Sequence, residues 1–292
     1  MNQPDFIIIG AMKSATSTLH SQLALQSGIF MSTPKEPNYF SDDDIYARGE
    51  AWYESLFSEA KNGDLCGESS THYTKLPDYP LTIERMAKQL VNPKLIYVMR
   101  HPIERLTSHY IHQWSQNKFK CDINDAIDRY HELTAYSCYA RQLEPYIEQY
   151  GCENILIVFT ENIKADPQTQ LERIAEFIGY TGNVRWESGL SAQNVSRERI
   201  RPFPGYQWIL ESKMMTLLRR TLVPKSIRNR VKNKLTMQHR PVIDEQHTRI
   251  VTDLFNQDLA KLSELYSLDI NCDNYQDVVR KHDLNLNGHV DV

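Results

Sequence analysis

Short apolar runs alternate with segments of helical periodicity along the first 180 residues of the chain. The runs are too short for helices and contain almost no polar residues, which is typical of strands buried on both faces of a parallel sheet. Five such runs stand at residues 5–9, 29–31, 64–66, 94–99 and 155–159. Strands that alternate with helices in this way predict a doubly wound α/β fold, whose ligands bind beyond the carboxyl ends of the strands.

Helix signals lie between and after these strands. Pro102 suits the first turn of a helix that follows the fourth run, since its missing N–H is not needed there. Asp166-Pro167 followed by apolar spacing and Gly179 predicts a helix with an N-cap and a glycine stop. Further helices are predicted at residues 51–60, 208–222, 224–235 and 244–266, and a polar tail follows the last one.

The pattern therefore predicts one α/β domain over residues 1–292, with a P-loop-like parallel sheet flanked by helices. Residues 1–184 form the α/β core of this prediction, and residues 185–292 form a loop and a helical C-terminal extension.

Charge is distributed unevenly along the chain. The formal net charge is −4, yet residues 185–240 hold nine Arg and four Lys against three Glu, an excess of ten positive charges. A basic block on an acidic body indicates an anionic ligand near that block, or a solvated helical face. Five cysteines without a C-x-x-C pair favour reduced thiols, and no apolar run approaches the roughly 18 residues of a membrane span. With no basic region before the first apolar run to indicate a signal peptide, we expect a cytoplasmic protein.

The segment between the first strand and the first helix carries the candidate chemistry. Gly10 is followed by Ala11-Met12-Lys13-Ser14-Ala15-Thr16-Ser17-Thr18, where backbone N–H groups converge on a helix N-terminus. Such a site attracts phosphate through aligned donors and the helix dipole, and hydroxyl side chains add further donors. A polar turn with an N-cap is the alternative for a loop of this kind taken alone.

The spacing differs from that of a Walker A loop. G-x-x-x-x-G-K-[ST] needs a second glycine before the lysine, whereas Lys13 follows Gly10 by three residues. The strand at 94–99 ends in Met99-Arg100, and not in the aspartate that would hold magnesium. A sulfuryl group carries less negative charge than a phosphoryl group and can transfer without a metal, so this loop suits sulfuryl transfer better than kinase chemistry. No metal site is predicted.

Several motifs in the same order resemble the PAPS-dependent sulfotransferases, notably their bacterial and heparan-sulfate-type branches (PAPS is 3′-phosphoadenosine 5′-phosphosulfate). The segments are IIIGAMKSATSTL, STPKEPNYFSDD, YVMRHPIERLTSHY, SCYARQLEPYIEQYG, ILIVFTENIKADPQTQLERIAEFIG and NVSRERIRP. The resemblance covers roughly the first 240 residues and implies a sulfotransferase fold. It also implies sulfuryl transfer from PAPS to a hydroxyl or amine of a carbohydrate or small molecule, with release of 3′-phosphoadenosine 5′-phosphate (PAP), and a bacterial origin.

The resemblance implies a role for each donor-side residue. Lys13, Ser14, Ala15, Thr16, Ser17 and Thr18 match the 5′-phosphosulfate loop, with Lys13 on the bridging oxygen between phosphate and sulfur. Arg100 and Ser108 match the 3′-phosphate site, and a surface ion pair is expected for the nearby Arg105. Arg197, Arg199 and Arg201 belong to a loop that closes over the nucleotide, and one or two of them are expected at the 3′-phosphate.

On the acceptor side, Glu36 matches the catalytic glutamate of the heparan-sulfate-type branch, and His72 is the alternative general base. A loop carboxylate paired with Lys35 is the other interpretation of Glu36. The further acceptor-site candidates are Lys35, Tyr39, Glu68 and Tyr73. Two departures put a glycosaminoglycan acceptor in doubt. Ser69 stands where the branch usually has a lysine, and Asn38 stands where it often has a histidine.

Other functions stay open at this point. A small-molecule kinase and a non-catalytic nucleotide- or glycan-binding module are the alternatives to a sulfotransferase. The basic amphipathic segment 224–235 suits a solvated lid helix, or contact with an anionic membrane surface. Nucleic-acid binding is not expected, since aromatic residues do not interleave with the charges.

Overall fold

The computed structural model describes residues 3–190, 237, 239–267 and 269–285. The predicted helices at 208–222 and 224–235, and Arg197, Arg199 and Arg201, lie outside the described residues. The single-domain organisation therefore stays a prediction.

The described strands form one parallel sheet in the order β2-β3-β1-β4-β5. They are β1 Phe6–Gly10, β2 Ile29–Met31, β3 Leu65–Ser69, β4 Lys94–Met99 and β5 Ile155–Phe159. This confirms the predicted fold class. The strand predicted at 64–66 extends instead to Ser69, because its polar end is buried among hydroxyl groups.

Helices connect the strands and cover both faces of the sheet. They are α1 Thr16–Ala24, α2 Asp43–Tyr46, α3 Glu50–Ser55, α4 Thr82–Gln89, α5 Pro102–Ser115, α6 Ile123–Arg129, α7 Glu132–Ala135, α8 Tyr139–Tyr150, α9 Thr160–Ala165, α10 Pro167–Phe177, α11 Glu245–Tyr266 and α12 Tyr275–Asn285. The prediction of a polar tail after residue 266 is wrong, because α12 buries Tyr275 and Val279 in the core. No helix in the described ranges is long and apolar enough to span a membrane.

Alternate residues of β1 pack into two apolar clusters, one on each face of the sheet. Ile7 and Ile9 belong to one core cluster, whereas Phe6 and Ile8 belong to the cluster on the opposite face of the sheet. Such burial on both faces is why the strand reads as a continuous apolar run.

Strand order determines where a ligand can bind. From β1 the chain turns through α1 towards β2, and from β4 it turns through α5 towards the opposite edge at β5. The loops after β1 and β4 therefore diverge and leave a crevice at the carboxyl end of the sheet, which is the usual ligand position in open α/β folds.

Candidate active site

The loop from Ala11 to Ala15 lies between β1 and α1 at this crevice. Lys13 and Ala15 both have positive φ, +72° and +63°, a conformation that directs successive backbone groups to one side of a turn. No acidic residue occupies the first turn of α1, so no carboxylate neutralises the positive end of its dipole. The loop and the helix N-terminus together form the predicted phosphate cradle.

The hydroxyl group of Ser14 is fully buried in this loop without a hydrogen-bond partner among the described residues. Thr16 is also buried, whereas Ser17 and Thr18 are half-buried. Because a buried hydroxyl without a partner costs about 1–3 kcal/mol, the site fits a ligand oxygen at Ser14.

Arg100 joins the two sides of the crevice. Its Nη1 donates to the Lys13 carbonyl oxygen at 3.4 Å, and its Nη2 donates to Glu104 Oε2 at 3.1 Å. Arg240 Nη2 also donates to this Glu104 oxygen, at 2.5 Å. Burial favours the protonated form of Glu104, but the charges of Arg240 and Arg100 outweigh it and lower its pKa. Arg240, which the sequence reading did not single out, thus contributes a second cation near the predicted 3′-phosphate site.

Ser108 and Arg105 both lie on α5, with different surroundings. Ser108 is buried, 3% exposed, on the same helix that begins beside Arg100. The expectation of a surface ion pair for Arg105 is wrong, since Arg105 is fully buried. Its Nε donates to Ser137 Oγ at 2.5 Å and its Nη2 donates to the Leu133 carbonyl at 2.7 Å, so it ties α5 to the chain around α7.

Glu36 lies in the loop after β2. The phosphate loop follows β1, and β3 lies between these two strands in the sheet. Its backbone N–H donates to the Ser69 carbonyl at 2.9 Å, and its carboxylate pairs with Lys35 Nζ at 2.5 Å. Burial favours the protonated form of Glu36. The charge and hydrogen bond of Lys35, supported by Lys75, nevertheless hold its pKa below the usual value. Glu36 is therefore ionised at neutral pH.

His72 and Lys75 lie in the turn after β3, close enough to Glu36 for their charges to interact. Burial and the Lys75 charge lower the pKa of His72 to about 4, so the imidazole is neutral at pH 7. Its ring stacks on Tyr79, with 4.8 Å between centroids. The sequence motifs predicted His72 as the alternative general base and gave no role to Lys75.

Lys75 is an unusual lysine, because it is only 7% exposed. Its Nζ lies 5.9 Å from the Tyr136 ring centroid and makes no hydrogen bond or ion pair with any other described residue. Burial lowers its pKa to about 8, although the Glu36 carboxylate opposes that decrease. Nothing in the neighbouring residues of the sequence signals that this lysine is buried.

Three predicted acceptor residues lie in the core. Glu68, Tyr39 and Tyr73 are each at most 2% exposed. The Glu68 carboxylate accepts hydrogen bonds from Tyr53, Ser70 and Tyr73, and does not present a free oxygen to the crevice. A direct acceptor contact for these three residues stays a prediction, but their visible role is to support the loop that carries Glu36.

Ser69, which stands where the heparan-sulfate-type pattern usually has a lysine, forms a side-chain hydrogen bond. Ser69 Oγ hydrogen-bonds His20 Nδ1 at 2.9 Å, which joins β3 to α1. Burial and the Lys35 charge lower the pKa of His20 to about 4, so a neutral pair stands here. The cation nearest to Glu36 in the turn after β3 comes instead from Lys75.

A parallel α/β sheet, a loop of phosphate-binding type at its crevice and an arginine at the neighbouring strand end are the arrangement that open α/β proteins use for ligands with phosphate groups. Residues 3–262 match the family model described as the sulfotransferase domain. The chain belongs to this sulfotransferase family, as the motifs predicted.

Known relatives agree with this assignment. Mouse heparan sulfate glucosamine 3-O-sulfotransferase 3B1 is 29% identical over 185 residues, which cover 60% of this chain and 46% of the relative. The membrane-associated sulfotransferase kil1 of Dictyostelium discoideum is 37% identical over 116 residues, which cover 38% of this chain and 24% of the relative. The chain thus spans less than half the length of these curated relatives.

A solved structure supports the fold. The sulfotransferase from Alicyclobacillus acidocaldarius superposes with a TM-score of 0.66 at 18% identity, covering 92% of this chain and 98% of that one.

Proposed function

We propose that the protein transfers a sulfuryl group from PAPS to a hydroxyl or amine of a carbohydrate or small-molecule acceptor and releases PAP. The observation that carries this proposal is the hydrogen bond from Arg100 to the Lys13 carbonyl oxygen, which brings the arginine against the loop that carries Lys13. An ionised Glu36 lies in the loop after β2 at the same end of the sheet. Family membership adds the reaction class.

The donor side would bind and neutralise the nucleotide. The backbone of the phosphate loop and the Ser14 hydroxyl suit the 5′-phosphate, and Lys13 suits the bridging oxygen. Arg100, with Ser108 on α5, suits the 3′-phosphate through charge-assisted hydrogen bonds. PAPS supplies an activated sulfuryl group once it is bound at these residues.

The acceptor side would hold and move one proton. Glu36 is ionised and can accept the proton of the attacking hydroxyl, as a general base must. The acceptor oxygen forms the new bond to sulfur, the bond from sulfur to the bridging oxygen breaks, and PAP leaves with that electron pair. Lys13 stabilises the charge that develops on the leaving oxygen. His72, neutral and stacked on Tyr79, is the weaker candidate for the base.

The two alternatives predict different ligands. A small-molecule kinase would bind ADP with Mg²⁺, yet Arg100 stands at the end of β4, where a P-loop kinase would place a carboxylate for the metal. A non-catalytic binding module would keep its ligand after loss of Lys13, with no turnover to lose.

Thermal shift with PAP and with ADP plus Mg²⁺, followed by sulfate transfer to a panel of phenols and sugars, separates the three functions. We expect PAP to stabilise the wild type, Arg100→Ala to weaken that effect, and Lys13→Ala to abolish transfer. Stabilisation by ADP with Mg²⁺ and not by PAP would contradict the proposal. PAP binding without any transfer across the panel would favour the binding module.

Location and acceptor also stay proposals. A cytoplasmic location and a bacterial origin are sequence-based predictions, as is a reaction without metal. One relative is named a membrane-associated sulfotransferase, and contact with an anionic membrane is the alternative to a solvated lid helix for segment 224–235. Vesicle co-sedimentation with and without anionic lipid would test that contact.

A further inference from the structure

The loop that carries Glu36 needs support from outside itself. Glu36 and Asn38 have positive φ, +58° and +55°. Left-handed backbone costs a residue other than glycine roughly 1–2 kcal/mol, less for asparagine. Such a conformation persists only where the surroundings fix it. The backbone position of Glu36 is therefore determined by what the loop contacts.

Two hydroxyl groups hold the backbone of this loop. Ser70 Oγ accepts from the Asn38 N–H at 3.0 Å, and the Tyr73 hydroxyl accepts from the Phe40 N–H at 3.4 Å. Both hydroxyls belong to the segment at the end of β3, so they attach the loop to the rigid sheet. Each must also donate its own proton elsewhere, since a buried O–H without an acceptor is destabilising.

The Glu68 carboxylate accepts a hydrogen bond from each of these two hydroxyls. Its Oε1 accepts from Ser70 Oγ at 2.6 Å, its carboxylate also accepts from the Tyr73 hydroxyl, and its Oε2 accepts from the Tyr53 hydroxyl. The carboxylate is fully buried, with no cation paired to it among the described residues. Burial raises the pKa of Glu68, whereas the hydrogen bonds from Ser70, Tyr53 and Tyr73 favour its ionised form. An ionised carboxylate can only accept hydrogen bonds, so Glu68 in this form turns the Ser70 and Tyr73 hydroxyls so that their lone pairs face the Asn38 and Phe40 N–H groups.

We infer that Glu68 is a positioning residue for Glu36, acting through Ser70 and Tyr73 and not through contact with the acceptor. This inference rests on the proposed function, in which Glu36 is the general base. Glu68 lies in β3 and the phosphate loop follows β1, so the donor site is built from other residues. Loss of Glu68 should therefore slow the chemical step and leave nucleotide binding intact.

The test compares Glu68→Gln with Tyr53→Phe. Glutamine keeps the shape of Glu68, but its NH₂ group donates to a hydroxyl that must itself donate, so one link to the loop is reversed. Tyr53→Phe removes a hydrogen bond to the same carboxylate, keeps the aromatic ring and leaves both links to the loop in place. The two variants should lose similar stability, whereas only Glu68→Gln should alter the loop.

We expect Glu68→Gln to lower kcat at least tenfold with the Kd of PAP within twofold of wild type, and Tyr53→Phe to keep kcat within threefold. The double variant Glu36→Gln, Glu68→Gln should be within twofold of Glu36→Gln alone, because one residue acts through the other. Amide hydrogen exchange of residues 36–40 should be at least tenfold faster in Glu68→Gln and unchanged in Tyr53→Phe. Ser70→Ala, which removes the link to Asn38 together with the hydrogen bond from Ser70 to Glu68, replaces Glu68→Gln if that variant does not fold.

Unchanged kcat and unchanged exchange in Glu68→Gln would overturn the inference, as would equal effects of Glu68→Gln and Tyr53→Phe. A wild type that transfers no sulfate would contradict the proposed function instead. In that case the exchange measurement, which needs no turnover, still decides whether Glu68 positions the loop.

Discussion

Lys75 allows a stability prediction with a worked magnitude. Burial lowers its pKa from an ordinary 10.5 to about 8. Each tenfold change in an equilibrium corresponds to about 1.4 kcal/mol, so keeping this lysine ionised costs the folded state about 3 kcal/mol at pH 7. Methionine has a similar unbranched stem and no charge, and it can pack its sulfur against the Tyr136 ring. We therefore expect Lys75→Met to raise the free energy of unfolding by about 1–3 kcal/mol at pH 7.

The sign of the pH dependence follows from the lowered pKa. Below pH 8 the lysine is protonated in both the folded and unfolded states, so the full cost is present. As the pH rises from 8 towards 10.5, the folded protein loses this proton while the unfolded chain keeps it. Wild-type stability should therefore rise relative to Lys75→Met. The cost of the lysine charge should fall from about 3 kcal/mol at pH 7 to below about 1 kcal/mol at pH 10, so the advantage of the variant should decrease by about 2 kcal/mol over this range.

Urea unfolding of wild type and Lys75→Met at pH 7, 9 and 10, without nucleotide, measures this difference. Lys61→Met, at an exposed surface lysine, is the matched control and should show no change across the same pH range. Because Lys75 lies near Glu36, the stabilised variant should also transfer sulfate at least tenfold more slowly and bind PAP as before. A variant that is less stable at pH 7, or an advantage that does not change with pH, would refute the reasoning.

Four further variants test other parts of the site. Ser14→Ala removes a buried hydroxyl that has no partner among the described residues, so it should leave the free protein equally or more stable and weaken PAP binding about tenfold by calorimetry. Glu36→Gln should lower kcat by about 10²–10⁴-fold and His72→Gln by less than tenfold, and the reverse order would make His72 the base. Gly10→Ala places a Cβ 2.0 Å from Thr74 Oγ1, so it should destabilise the protein by about 1–3 kcal/mol or more in urea unfolding; an unaltered midpoint would contradict this contact.

The sequence predicted the strand bounds correctly, to within one residue, wherever a strand is buried through apolar side chains alone. β2, β4 and β5 have the predicted bounds, and β1 is displaced by one residue. β3 was predicted too short because Gly67, Glu68 and Ser69 do not resemble a buried strand. Their burial depends on hydrogen bonds to residues distant in the chain, which no local pattern reports. α12 was missed for a related reason, since two buried side chains among polar ones give little periodicity.

The same distinction applies to the site. The phosphate loop and Arg100 were predictable because their signals are local, a lysine after a glycine and an arginine at a strand end. Arg105 and Lys75 were not, because nothing in their neighbours distinguishes a buried cation from a solvated one. Their burial is set by Leu133, Ser137 and Tyr136, about 30 and 60 positions along the chain.

The phosphate loop and the surroundings of Glu36 are held in place by different kinds of contact. Groups whose signals are local lie on the donor side, where backbone N–H groups and a helix end do most of the binding. Several groups that needed the structure lie around Glu36. A buried carboxylate, two hydroxyls and a lysine with no ion pair among the described residues set the position and charge of Glu36 there. Substitutions around Glu36 should therefore alter turnover and acceptor choice while nucleotide affinity stays constant. A variant of Glu68 or Lys75 that loses PAP affinity in proportion to kcat would show that the two sides are not independent.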